Sequence, residues 1–212
     1  MKALILTPYH DGPLPLSLLL TGVDLILCAD TAYLAAERAG IFPDAVIGDF
    51  DHEHTSAQAH GNVVRVPSEK DDTDTMLCIK YAIDAGADEL VIAGGIGGRL
   101  DHTIANLQSL AYAESHGVHA VLTDGRNEAR VISGHIRIPK KPGFYLSVFA
   151  YGGECRGVSE SGVRYPLRDE VLSVNFPLGV SNEIVDDYAK IEVREGRLLV
   201  ILSGKEREEA EA

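Results

Sequence analysis

The spacing of apolar and polar positions changes character near residue 125. Up to that point short apolar, β-branched runs alternate with stretches of helical period. Residues 2–7, 24–29, 45–47, 62–66, 89–93 and 119–123 have the length and composition of strands. Residues 31–39 read as a helix, with Gly40 where a C-terminal cap belongs and Pro43 just beyond. Residues 73–85 place Met76, Leu77, Ile79, Lys80 and Ile83 at helical spacing and stop at Gly86. A further helix over 101–116 closes at Gly117. Strand and helix in alternation predict βαβ units, hence a mostly parallel sheet with helices on both faces.

Beyond residue 125 the helical period disappears. Residues 128–138, 144–151, 170–176, 188–194 and 197–203 read as strands, with Glu195-Gly196 as a tight turn between the last two. The pattern therefore predicts an α/β domain over 1–125 and a smaller all-β domain over 126–212. The charged stretch 205–212 is expected to fray.

Charge narrows the partners. Asp plus Glu number 32 against 19 Lys plus Arg, a net charge of -13, which argues against gripping a nucleic-acid backbone. It favours a cationic ligand, or a metal that brings a phosphate with it. No apolar run reaches the roughly 18 to 20 residues of a membrane span; the nearest, 14–29, is broken by Pro15 and Asp24. Residues 1–7 read as a strand, not as a signal peptide. Cys28, Cys78 and Cys155 are far apart with no CxxC pair, so each is expected as a small buried residue in a reducing cytoplasm.

The polar clusters follow the strands. After the second comes Asp30, after the third Gly48-Asp49-Phe50-Asp51, and after the fourth Lys70-Asp71-Asp72-Thr73-Asp74. After the fifth comes Gly94-Gly95-Ile96-Gly97-Gly98-Arg99-Leu100-Asp101. Ligands of open parallel sheets bind outside the carboxyl ends of the strands, where all of these fall. Asp30, Asp72 and Asp101 also stand where helices begin, and an aspartate N-cap contributes about 1 kcal/mol. Capping does not account for Asp49 and Asp51, which face one way if their segment is extended. Two carboxylates about 5 Å apart repel by roughly 3 kcal/mol at an effective dielectric near 20. Protons or a divalent cation must offset that, and oxygen-only ligands suit Mg²⁺ carrying substrate phosphates.

The four glycines before Arg99 let backbone approach a ligand, and a helix N-terminus follows them, a combination that favours phosphate. Arg99 is placed to clamp phosphate oxygens. The third glycine of a dinucleotide fingerprint is missing, and there is no P-loop. The residues alone thus point to phosphoryl or diphosphoryl transfer, or to metal-assisted hydrolysis. They do not choose among these.

In order and spacing, Cys28-Ala29-Asp30, the run from Phe42 to Asp51, Lys70-Asp71-Asp72-Thr73-Asp74 and the run from Gly94 to His102 resemble the thiamine pyrophosphokinase family. Gly157-Val158-Ser159, Gly162-Val163-Arg164-Tyr165-Pro166-Leu167 and Gly179-Val180-Ser181-Asn182-Glu183 continue the likeness. The resemblance implies transfer of the diphosphate of ATP to the hydroxyl of thiamine, with AMP leaving. It also implies a homodimer, a C-terminal β-sandwich, and an active site where domains and subunits meet. Asp49, Asp51, Asp74 and Asp101 would hold Mg²⁺. Lys70, Thr73, Arg99 and Asn106 would face the ATP phosphates and nucleotide. Ser181 and Asn182 would meet the aminopyrimidine, and Tyr165 would stack on thiamine. A ring face attracts the cationic thiazolium by about 0.5 to 2 kcal/mol. Asp71 or Asp74 is the expected proton acceptor.

Three stretches depart from the family pattern. Thr31-Ala32 replace two glycines, His52 stands where serine is common, and Thr7-Pro8-Tyr9-His10-Asp11 replaces a short glycine-containing loop. Thr31 and Ala32 keep open a catalytically weak protein that binds thiamine or nucleotide; a similar α/β domain also suits diphosphate transfer to another alcohol such as a hydroxymethylpterin, although Ser181-Asn182 argue for thiamine. His52 and His54 invite a zinc reading, but no third nitrogen or sulfur ligand stands at matching spacing. His102 reads as a structural hydrogen-bonder.

Overall fold

A computed structural model describes residues 1–10, 12–50, 62–67 and 71–205. The chain divides into two compact units, Met1–Gly125 and Arg126–Ala212. No helix among the described residues is long and apolar enough to cross a membrane.

The first unit runs β1 (Lys2–Leu6), α1 (Leu16–Leu19), β2 (Leu25–Ala29), a 3-10 turn (Asp30–Ala32), α2 (Tyr33–Arg38), β3 (Ala45–Gly48) and β4 (Asn62–Arg65). It continues with α3 (Asp74–Asp84), β5 (Glu89–Ala93), α4 (Leu100–Ser115) and β6 (His119–Thr123). The strands lie in the order β6-β5-β1-β2-β3-β4, and the pairings β1–β2, β1–β5, β2–β3, β3–β4 and β5–β6 are all parallel. In register, Leu4 sits between Ile26 and Val91, and Leu6 between Cys28 and Ala93. These side chains pack on Leu16, Leu19, Tyr33 and Ala36, so α1 and α2 cover that face. The alternate residues Ala3 and Ile5 are fully buried as well. Their face is covered by α3, which lies on β1, β2 and β3, with α4 beside it. Burial in both phases of the two-residue repeat is why these strands read as continuous apolar runs.

The second unit is all β: β7 (Asn127–Pro139), β8 (Phe144–Ser161), β9 (Glu170–Leu172), β10 (Gly179–Asn182) and β11 (Tyr188–Gly204). β11 pairs antiparallel with β7 on one side and β8 on the other, and β8 also pairs with β10 and β9. Its core joins Ala189, Ile191 and Val193 to Leu198, Val200 and Leu202.

Several expectations need correction here. Glu195-Gly196 is not a hairpin turn. Both halves of β11 bond to the same neighbours, and the register slips as the chain passes these residues. Gly196 has φ 93°, and a β-carbon there would lie 2.9 Å from Cys155 Sγ. A glycine in that position marks a bulge, not a reversal. β8 runs on to Ser161, well past the strand expected over 144–151, and the strand expected over 170–176 shrinks to three residues. Neither α1 nor β10 was anticipated; four residues each are too few to show a period. From residue 206 on, the charged tail lies outside the described residues, while Lys205 pairs with Glu183 at 2.8 Å.

Candidate active site

β1 and β5 are neighbours, yet the helices that follow them, α1 and α4, lie on opposite faces of the sheet. That arrangement opens a crevice at the carboxyl ends of the two strands. A cavity of about 290 Å³ occupies it, lined among others by Thr7, Tyr9, Asp30, Gly95, Arg99 and Asn106.

At the same rim Asp30, Asp49 and Asp74 each place one carboxylate oxygen within 4.8 Å of the other two. They arrive on three different elements. Asp30 follows β2 as the first residue of the 3-10 turn, in the left-handed conformation, φ 45°. Asp49 follows Gly48, the last residue of β3. Asp74 opens α3, whose cap is Thr73: its Oγ1 accepts from the Met76 N–H at 3.1 Å. Each pair of charges at that separation repels by roughly 3 kcal/mol at an effective dielectric of 20. A donor set made only of carboxylate oxygens fits a hard divalent cation such as Mg²⁺.

Thr73, expected on the nucleotide side, caps α3. The three aspartates read as N-caps do otherwise. Asp30 makes no capping hydrogen bond and joins the carboxylate group. Asp72 forms an ion pair with Lys80 at 2.6 Å. Asp101 lies within the first turn of α4, one residue inside it. It also lies outside the carboxylate group expected to include it. Its Oδ2 and Oδ1 accept from Arg99 Nη2 at 2.6 Å and Nε at 3.1 Å. The Arg99 guanidinium holds the Asp101 carboxyl well below its ordinary range, at about 2. Asp71 is exposed. Asp51, Lys70, His52 and His54 lie outside the described residues.

The glycine run is shaped by the protein itself. The Gly95 N–H donates to the Tyr9 carbonyl at 2.6 Å, and a β-carbon on Gly98 would fall 2.5 Å from the Tyr9 ring. Buried Asn106, expected on the nucleotide side, donates from Nδ2 to the Gly95 carbonyl at 2.9 Å. It holds the loop from beneath. The signal for Tyr9 in the sequence is an aromatic just past the carboxyl end of a strand. Ala32 is 1% exposed and packs inward beside Tyr33, so its side chain does not obstruct the rim.

In the second unit Tyr165 is 66% exposed. Asn182 is buried, with its side chain occupied by the protein. Oδ1 accepts from the Tyr165 N–H at 3.0 Å and the Glu183 N–H at 2.9 Å. Nδ2 donates to the Tyr165 carbonyl at 2.8 Å and to Glu160 Oε2 at 3.3 Å. All four positions of the amide are filled within the protein, so the side chain as placed clamps the Tyr165 segment. Ser181 is exposed at φ 58°, and its N–H donates to Ser147 Oγ at 3.0 Å.

Residues 16–122 match the family model described as the thiamin pyrophosphokinase catalytic domain. Residues 134–198 match that of the thiamin pyrophosphokinase vitamin B1 binding domain. The thiamine pyrophosphokinase of Bacillus subtilis (strain 168) is 28% identical over 172 residues, covering 78% of this chain and 80% of that protein. A crystal structure of thiamin pyrophosphokinase from Geobacillus thermodenitrificans superposes with a TM-score of 0.86 at 25% identity, covering 98% of this chain and 99% of that one. The fold extends to thiamin pyrophosphokinase from Candida albicans, with a TM-score of 0.80 at 16% identity over 96% of this chain and 89% of that one. On its sequence and on the fold that sequence builds, the chain belongs to the thiamin pyrophosphokinase family.

Proposed function

We propose that this chain transfers the diphosphate of ATP to the hydroxyl of thiamine, giving thiamine diphosphate and AMP. The observation that carries the reading is the oxygen-only group Asp30, Asp49 and Asp74 at a switch-point crevice, in a chain matching both family domains. These three residues would hold Mg²⁺. When bound, the cation would neutralise charge on the transferred phosphates. The unit over 1–125 would take cation and nucleotide, and that over 126–212 thiamine.

The chain's own groups supply the rest. Arg99, 73% exposed and oriented by Asp101, offers donors toward phosphate oxygens. Lys70 would add a further positive charge and Asp51 a further carboxylate. Thr73 keeps Asp74 in place by capping its helix. Asp71 would take the proton of the thiamine hydroxyl. Tyr165 would present its exposed ring to the thiazolium, with Ser181 beside it on the same segment. The net charge of -13 favours a cationic substrate.

A homodimer is part of this reading. Val174, Phe176, Leu178 and Val180 are all at least 45% exposed on one short stretch of the second unit, a run of apolar surface suited to a second copy. A cytoplasmic setting is supported by three buried free thiols.

The test is product identification with ATP, Mg²⁺ and either thiamine or a hydroxymethylpterin, with and without chelator. The expected result is AMP and thiamine diphosphate in equal amounts, with thiamine and free cation only. ADP as product, or AMP with the pterin alone, would overturn the assignment.

A further inference from the structure

Glu160 lies on β8 at 2% exposure, opposite Ile191 of β11 and against the buried Asn182 side chain. Its Oε1 is buried with no hydrogen-bond partner, while Oε2 accepts from Asn182 Nδ2. Packing does not account for a carboxyl here, since a methionine would fill the space without desolvating a polar group. Burial pushes the carboxyl up to about 7, with the Asn182 hydrogen bond acting the other way.

The bonds around it converge on one short segment. Asn182 holds both the N–H and the carbonyl of Tyr165. The Glu160 N–H donates to the Leu167 carbonyl at 3.0 Å. The Arg164 N–H donates to the Glu183 carbonyl at 2.9 Å. Tyr165 is thereby tied at its backbone on both sides while its ring stands in solvent. The fourth position of the Asn182 amide is the one Glu160 fills at 3.3 Å, adding to the three backbone bonds that set which way the amide faces. Turned over, Asn182 would set a carbonyl oxygen against the Tyr165 carbonyl and an NH₂ against two N–H groups.

We propose that Glu160 is a positioning residue for thiamine: it braces the Asn182 amide, and Asn182 fixes the backbone from which the Tyr165 ring meets the substrate. The proposal rests on the reading of Tyr165 as the thiamine platform.

The test is steady-state kinetics on E160M, E160Q, Y165A and the double variant E160M/Y165A. E160M, which keeps volume and removes the acceptor, raises the thiamine KM about tenfold, the scale of one ordinary hydrogen bond. It leaves kcat and the KM for ATP within about twofold. E160Q keeps an acceptor and stays within about twofold of the parent throughout. Because Glu160 acts through Tyr165, the double variant is no worse than Y165A alone. If E160M does not fold, E160A removes the same acceptor and is held to the same outcomes. A parental thiamine KM in the acceptor-less variant, beside a raised one in Y165A, overturns the proposal alone. Additive effects in the double variant do the same. An unchanged thiamine KM in Y165A overturns the platform reading and this proposal with it.

Discussion

Gly48, the last residue of β3, and Asp30, the first residue past β2, approach so closely that a β-carbon on Gly48 would fall 2.9 Å from the Asp30 Cα and 3.3 Å from its Cβ. Asp30 is held there at φ 45°, a conformation that costs an aspartate about 1 kcal/mol. The Asp30 backbone cannot give way cheaply, so G48A displaces Asp30 from Asp49 and Asp74. The expected outcome is turnover at least about tenfold lower, a higher Mg²⁺ concentration for half-maximal rate, and about 1 to 3 kcal/mol lost from overpacking. Cation titration of AMP release and chemical unfolding check this. Parental cation dependence would contradict it.

The carboxylates of Asp30, Asp49 and Asp74 repel one another, and D49N removes one charge from the group. Added Mg²⁺ raises the melting temperature of the parent and has little effect on D49N, while turnover of D49N falls by about two orders of magnitude. Thermal melts with and without Mg²⁺ measure the first two effects. A D49N melting temperature that rises with Mg²⁺ as much as the parent's would contradict the account.

Asp101 serves Arg99. Its carboxyl, at about 2, is depressed, so what the pair contributes is present above the unfolded carboxyl range and lost as pH falls through about 2. The pair is exposed, and its effect on stability is small. D101N is expected to raise the KM for ATP several-fold, because Arg99 loses the partner that orients it. It leaves half-saturation by Mg²⁺ within about twofold of the parent. A cation response lost as in D49N would place Asp101 among the metal ligands.

Much of the fold could be read in advance from local rules. Strands buried on both faces announce themselves as apolar runs, and the polar clusters at their carboxyl ends mark the rim. The failures share a cause. Asp30 at a strand-to-helix junction looks the same as a cap or as a ligand, and only the approach of Gly48 from another strand distinguishes them. Glu195-Gly196 suits a hairpin or a bulge equally well; what decides is that both flanks pair with β7 and β8. Asn182 sits in a motif that suggests substrate contact, yet its partners Glu160 and Tyr165 are distant in sequence and fill its amide before any ligand arrives.

Glu160 gives the protein a pH dependence that can be isolated. Its carboxyl is raised to about 7 in the folded chain, so between about 4.5 and 7 the folded form keeps a proton that the unfolded chain has released. Stability therefore falls as pH rises across that window and levels above it. Glu160→Gln removes this fall, which amounts to about 3 kcal/mol across the window. Urea unfolding of both proteins from pH 4.5 to 8 measures the difference. Parallel profiles would contradict the raised carboxyl.

The most direct measurement is the anomalous scattering of Mn²⁺ in crystals grown with the metal and a non-hydrolysable ATP analogue. The account predicts a peak among the carboxylates of Asp30, Asp49 and Asp74, at the distances of direct oxygen ligation. A metal found elsewhere, with those three carboxylates unligated, would contradict it.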